Sequence, residues 1–454
     1  MNDDDKNPPL RRSDIKKLFS KEGQDFNPKI GIEVEKIGLY YEKSQPPSYG
    51  GNRGYLAILG KLYEELGWKI VKQKGKFILS MKRGNAYLNL ESDGRIELAG
   101  SPHDSIHDLA RELRIHQHEI KEVSNIFGII WLGCGYHPFS KNNEIQDIPE
   151  ERKDHLIKYF TKIKEQKNND FALAWFKKTS GIHINIDYEN EDDFARKSKV
   201  LNKLTPVLNA MFANSPFTKR GFSGYMSYRS HIAHNTGLPQ FNLSKKLYES
   251  SFTVDDWLDH VFEMPLLMIQ KGEEWLCPGI SFGDYLEKGY EGHSASMEDF
   301  DLHIKTLWKD VKSRSVIELR CLDSLPPNLI PSSAALIKGL MYSRENLDYL
   351  EKLTSSWPYH DFCELLEDAA KYGLQAKIQG VKILEVAKDL IGLAHDALKK
   401  SRVQDIAKHD ESRHLDAIKE FVFIEEKSPA EWIVENWQGK WRKSFHPVIE
   451  WFQY

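Results

Sequence analysis

Glutamates recur on one face of several strand-patterned segments, so this chain can fold only into an arrangement that neutralises or separates the shared charge. In GIEVEKIGLYY, side chains alternate across a strand, which puts Glu33 and Glu35 on one face and Ile32 and Val34 on the other. Ile37 and Leu39 extend the acid-bearing face, so it is not simply open to water. LNLESDGRIELAG reads as a hairpin, with Asp93 and Gly94 at a positive-φ turn and Leu88, Leu90, Ile96 and Leu98 as apolar positions. It carries Glu91 and Glu97, which share a face only if the loop is three residues, Ser92 to Gly94, because a one-residue slip turns a strand over.

TSGIHINID alternates Ser180, Ile182, Ile184 and Ile186 with Gly181, His183, Asn185 and Asp187, leaving an imidazole on a polar face. SVIELRCLD sets Val316, Glu318 and Arg320 opposite Ile317, Leu319 and Cys321. Taken singly, each segment is an amphipathic strand with solvated acids, and a lone histidine is a structural hydrogen-bonder. If the faces converge, each adjacent carboxylate pair repels by about 2 kcal/mol at an effective dielectric near 20. A cation is then required. Oxygen-rich ligation with one imidazole suits Mg²⁺ or Mn²⁺, and Mg²⁺ keeps waters and binds substrate phosphates, which points to phosphoryl transfer from a nucleotide. Arg229 in GYMSYRSHI and Arg320 are candidates for a phosphate or a substrate carboxylate, since guanidinium forks match both. As bare arginines, both also read as surface ion pairs.

The 63 Lys and Arg residues against 67 Asp and Glu leave a net charge of -4, so no overall basic field exists to hold nucleic acid or an anionic membrane. A hydrophobic share of 40% with 11 Trp, 19 Tyr and 22 Phe excludes a disordered chain. No apolar run reaches the ~18 residues of a membrane span, no secretory h-region opens the chain, and four separated cysteines form no CxxC pair; reduced thiols in the cytoplasm are expected.

Strands are expected at 29–41, 68–72, 76–82, 86–91, 95–99, 128–136, 180–187 and 315–321, with helices at 55–66 and 104–126. Amphipathic helices at 332–342, 378–400, 412–422 and 429–437 make the C-terminal part helical. The class is α+β. Residues 1–12 read as a disordered leader, after which Ser13 and Asp14 can cap a short helix and 13–454 form a single catalytic domain, since no repeat or linker interrupts them. The glycine-bearing stretch at 48–56 has no phosphate-loop spacing and is a loop. Residues 272–300 are either a mobile lid or a surface excursion. Oligomeric state is not specified.

GIEVEK, the DGRIELAGSP hairpin, GCGYHPF, FANSPF, SYRSHI, IELRCLD and SPAEWIVENWQGKW occur in this order from residue 29 to the end. That series resembles glutamate-cysteine ligase of the plant and proteobacterial type, whose catalytic fold is shared with glutamine synthetase. The resemblance implies a curved, mainly antiparallel sheet forming a funnel flanked by helices, with ATP and Mg²⁺ inside. It implies metal binding by Glu33, Glu35, Glu91, Glu97, His183 and Glu318, and nucleotide contacts from Asn185, Lys178 and Arg320. Arg229, Arg152 and Ser227 would contact substrate, with Arg320 and Arg229 acting on the transferred phosphate. The implied reaction joins the γ-carboxylate of glutamate to the amine of cysteine through an acyl phosphate. Ala233 stands where the family has Trp, Lys153 where it has Tyr, and Lys178 where it has Arg. A ligase using a different amine or γ-carboxylate donor stays open beside the main reading, as do a non-catalytic nucleotide-binding regulator and a metallohydrolase.

Overall fold

The computed structural model describes residues 10–21, 25–91, 94–249 and 251–454. Most of the expected disordered leader lies outside them, but its end is ordered. The Leu10 amide donates to the Ala295 carbonyl at 3.3 Å, and Arg12 opens a helical turn (Arg12–Lys16) and pairs with Asp255 and Asp259. Ordered chain therefore begins ahead of residue 13, because Arg12 finds two acidic partners on a distant helix.

Among the described residues, one nine-stranded sheet organises the molecule. Its strands are β1 (Ile30–Tyr40), β2 (Lys69–Lys74), β3 (Phe77–Arg83), β4 (Ala86–Leu90), β5 (Ile96–Ala99), β6 (Ile129–Leu132), β7 (Gly181–Ile186), β8 (Val311–Ser313) and β9 (Ile317–Asp323). The order is β8-β9-β7-β1-β5-β4-β3-β2, with β6 pairing the far end of β1, and every pairing is antiparallel. β1 is central, long enough to pair with β5, β6 and β7 at once.

Alternation on β1 sends Ile30, Ile32 and Val34 into the main core with Ile182, Ile184 and Ile186 of β7 and Leu88, Leu90, Ile96 and Leu98 of the β4–β5 hairpin. Helices pack on that side, among them α1 (Ile106–Asn125), while α2 (Glu151–Lys167) and α3 (Phe171–Lys178) pack on each other and α3 leads into β7. α4 (Glu191–Met211) and α6 (Ile330–Met341) complete the apolar layer, and α5 (Tyr228–His234) lies against β9. The opposite face of β1 carries Glu33 and Glu35 and then Ile37 and Leu39, which are sealed by a second apolar cluster containing Trp437, Val448 and Phe452. The C-terminal segment thus closes the end of the acid-bearing face.

Several expected boundaries move. The strand at 128–136 ends at Leu132, and the helix at 378–400 starts at Ile383 behind a two-residue hairpin (Lys377–Ile378 with Val381–Lys382). The helix at 412–422 is a 3₁₀ turn (Glu411–Leu415), a short α segment (Asp416–Lys419) and a π segment (Glu420–Glu425). In the second half of α4 every residue from Val200 to Met211 is buried, so that half leaves no stripe to read. The 272–300 segment is structured, with Glu274–Leu276 pairing Ile269–Lys271 and helices at Phe282–Lys288 and Met297–Lys305.

Gly94 closes the β4–β5 hairpin at φ +86°, and a Cβ there would stand 2.2 Å from Cε2 of Tyr55. Gly94→Ala therefore combines left-handed strain with a clash, and should lower unfolding free energy by about 1–3 kcal/mol, read as a reduced urea midpoint with unchanged slope.

Candidate active site

The register of the sheet gathers the polar faces. Glu35 lies opposite Glu97 of β5, Glu33 opposite His183 of β7, and Asn185 opposite Glu318 of β9. Glu91 N–H donates to the Arg95 carbonyl at 2.8 Å, so three residues separate the hairpin ends and Glu91 shares the face of Glu97. Ser92 and Asp93 of that expected turn lie outside the described residues. His183 Nδ1 is 2.8 Å from Glu33 Oε2 and 3.7 Å from Glu318 Oε1, and Asn185 Nδ2 donates to Glu33 Oε1 at 3.1 Å. Glu33, His183 and Glu318 each offer one ligand atom, all within 4.8 Å of one another.

Cations from several elements answer the acids. Arg95 Nη1 donates to Glu35 Oε2 at 3.2 Å, and the Gly181 amide donates to the same oxygen at 2.5 Å. Glu318 is held between Arg320 and Lys312, the latter at 3.0 Å. Lys153 Nζ donates to the Leu90 carbonyl at 2.6 Å and lies 3.3 Å from Glu150 and 3.6 Å from Glu91. Behind the sheet, Lys36 is fully buried beneath Glu35 and Glu97; burial pulls its ammonium down to about 7, with the two carboxylates opposing.

These contacts divide the carboxyls by charge state. Burial works against ionised Glu318, but Arg320, Lys312 and His183 outweigh it and hold the carboxyl well below its ordinary value. Glu91 is likewise held down, to about 2, by Lys153, Arg95 and Arg152 against the cost of burial. Glu97 goes the other way: burial first, then the charges of Glu33, Glu91 and Glu35, raise its carboxyl well above the ordinary range, against the opposing hydrogen bond that Asn89 Nδ2 donates at 3.0 Å. Glu97 is thus the carboxyl of this face that resists ionisation in the absence of further positive charge. Carboxylate oxygens with one imidazole nitrogen are a donor set that fits Mg²⁺ or Mn²⁺.

Other expected residues fall in distinct places. Arg320 Nη1 reaches Glu318 and lies 3.5 Å from His183 Nδ1, within the cluster. Arg152 lines a cavity of about 630 Å³ with Lys153, Glu91, Asn89, Glu150, Gln270 and Trp275. Lys178 lines another, of about 810 Å³, with Lys141, Lys164, Lys177, Lys219 and Arg220. Its ammonium lies 4.4 Å over the Tyr136 ring, and burial lowers it to about 8.

Ser227 is fully buried; its hydroxyl donates to Asp323 Oδ1 at 3.0 Å and caps α5, so it serves the fold and presents no surface to a substrate. Arg229 is also buried, its fork donating to backbone carbonyls of β9. Ala233 packs in an apolar cluster with Leu156, Phe160 and Phe176. Arg95, Lys153, Lys312 and Asn89 belong to the site although sequence reasoning assigned them no role. Arg95 and Asn89 carried a signal, the parity that places them with Glu91 and Glu97 once the loop is three residues.

Residues 29–450 match the glutamate-cysteine ligase family 2. The α+β architecture with an acid-lined antiparallel sheet is thus that of an enzyme family, and the chain belongs to it. The chloroplastic glutamate–cysteine ligase of Nicotiana tabacum is 27% identical over 426 residues, covering 93% of this chain and 78% of its own length. That of Arabidopsis thaliana has the same identity and coverage, and ligase B of Oryza sativa subsp. japonica is 26% identical over 429 residues, 93% of this chain and 83% of its own. Among solved structures, a Francisella tularensis glutamate–cysteine ligase in complex with AMP superposes with a TM-score of 0.51 at 14% identity, covering 92% of this chain and 86% of that one, a likeness of fold. No helix among the described residues is long and apolar enough to cross a membrane.

A carboxyl raised in the folded state adds stability below its unfolded value, and that stability is lost as pH rises through the folded value. Glu97→Gln should therefore raise the thermal midpoint of the metal-free protein at pH 8 and leave it unchanged near pH 4. Calorimetry at the two pH values decides this, and equal effects at both would refute the charge account.

Proposed function

We propose that this chain is an ATP- and Mg²⁺-dependent ligase that joins the γ-carboxylate of L-glutamate to the amine of L-cysteine, giving γ-glutamylcysteine, the first step of a glutathione-type thiol synthesis. One observation carries the reading: in a chain that matches the family from residue 29 to 450, Glu33, His183 and Glu318 from three strands bring ligand atoms within 4.8 Å of one another. Glu33, His183 and Glu318, with Glu91 and Glu97 alongside, would hold divalent ions, which would supply charge neutralisation for phosphate oxygens.

The protein's own groups account for the rest. The γ-carboxylate of glutamate attacks the terminal phosphorus of ATP, ADP leaves, and the cysteine amine then displaces phosphate from the acyl phosphate with loss of a proton. Arg320, beside His183, stabilises charge on the transferred phosphoryl group. The 810 Å³ cavity has a lining dominated by cations and suits the nucleotide polyphosphate. The 630 Å³ chamber mixes Glu91, Glu150, Arg152 and Lys153 and suits zwitterionic amino acids. Four free, separated thiols support a cytoplasmic setting. Lys153, ordered against Glu91 and Glu150 in that chamber, favours as second reading an acceptor amine other than cysteine.

Purified protein with ATP, Mg²⁺, glutamate and cysteine should release phosphate and form a dipeptide detectable by mass spectrometry; phosphate release that ignores cysteine but responds to another amine selects the second reading. Glu33→Gln, which keeps an acceptor for Asn185, should lower kcat by about 100-fold or more while the thermal midpoint stays close to that of the parent protein. Lys178→Ala should raise KM for ATP and leave KM for glutamate unchanged, whereas the reverse pattern would exchange the two chambers.

A further inference from the structure

β9 is irregular where the site needs it. Glu318 pairs with Asn185 and Leu319 with Ile184, but the next pairs are Leu322 with Ile182 and Asp323 with Gly181. Arg320 and Cys321 thus both stand opposite His183, a β-bulge. Unbroken alternation from Glu318 would put Leu322 on the acid-bearing face and Asp323 in the apolar layer. The bulge returns Leu322 to the apolar side with Ile182 and brings Asp323 round to the side of Gly181.

A bulge disrupts the ladder, and here one side chain takes up the two carbonyls involved. Arg229 Nη2 donates to the Arg320 carbonyl at 2.8 Å and Nη1 to the Cys321 carbonyl at 3.2 Å. Its guanidinium lies 5.0 Å over the Trp175 ring and close against β7, where a Cβ on Gly181 would stand 2.7 Å from Nη2. The start of α5 is fixed in turn by Asp323, which accepts from Ser227 at 3.0 Å and from Ser215 at 2.7 Å, while Ser215 Oγ accepts from the Arg229 amide at 3.2 Å. Arginine, bulge and Asp323 therefore form one closed circuit of hydrogen bonds around the origin of the Arg320 side chain.

We propose that Arg229 is a positioning residue: its planar fork locks the bulge at Arg320 and Cys321 and so aims Arg320 at Glu318 and His183. This rests on reading that cluster as the reaction centre. It replaces the expectation that Arg229 contacts substrate, because both terminal nitrogens are engaged with backbone and the side chain is only 4% exposed.

Arg229→Lys keeps the charge but cannot span two carbonyls, and Gly181→Ala keeps the arginine but crowds it off them. Both should fold, as judged by circular dichroism, and both should lower kcat by about tenfold or more with KM for glutamate within about twofold. A large rise in KM for glutamate with kcat retained would overturn the proposal by making Arg229 a substrate ligand. Mn²⁺ affinity, followed by electron paramagnetic resonance, supplies a readout without turnover. Freed from Arg320, Glu318 should bind Mn²⁺ several-fold more tightly in Arg229→Lys, as in Arg320→Gln, and the double variant should add nothing further. An affinity shift in Arg320→Gln without one in Arg229→Lys would sink the idea. Absence of ligation by the parent protein would remove the ligase reading alone, and the Mn²⁺ series would still decide the role of Arg229.

Discussion

Five carboxylates directed onto one face of a single sheet are the constraint around which the molecule is arranged. Adjacent pairs repel, and burial raises the cost because water cannot screen them. The chain answers with cations drawn from separate elements: Arg95 from the hairpin, Arg320 and Lys312 from the β8–β9 pair, Lys153 from α2, and Lys36 from behind the sheet. The answer is incomplete by design of the geometry. Glu318 and Glu91 are held as anions, whereas burial and three other glutamates hold the Glu97 carboxyl high despite the amide donor beside it. Three ligand atoms from Glu33, His183 and Glu318 converge on the same face.

The sheet topology turns this charge pattern into a site. Because β1 is central, groups far apart in sequence become cross-strand neighbours: Glu33 meets His183 and Glu35 meets Glu97. The bulge in β9 then breaks the alternation once, and the break is held by Arg229 from outside the sheet. Two cavities differ in electrical character, one dominated by cations beside Lys178 and one of mixed sign beside Glu91, Arg152 and Lys153.

Much of the architecture was legible wherever polar and apolar residues alternate cleanly. β1, β7 and the β4–β5 hairpin lie within a residue or two of their expected ends, because period-two patterning reports a face that is buried on one side. The same signal fails for α4, whose second half from Val200 to Met211 is buried all round, and for the 411–425 segment, where α, 3₁₀ and π turns follow one another without a single period. Ser227 and Arg229 show a different failure. Their neighbourhood marks them as belonging to the site, but burial shows that the hydroxyl serves a helix cap and the guanidinium serves backbone carbonyls.

Local pattern by itself determined which residues could share a strand face, since side-chain parity is a property of the backbone. It therefore specified the acids, the imidazole and the need for a counter-charge. Only the tertiary structure decided the loop length that brings Glu91 round to Glu97, the bulge that reverses parity after Arg320, and the cation assigned to each carboxylate. Those choices depend on contacts between segments far apart in the chain, and a one-residue change in register would reverse every one of them.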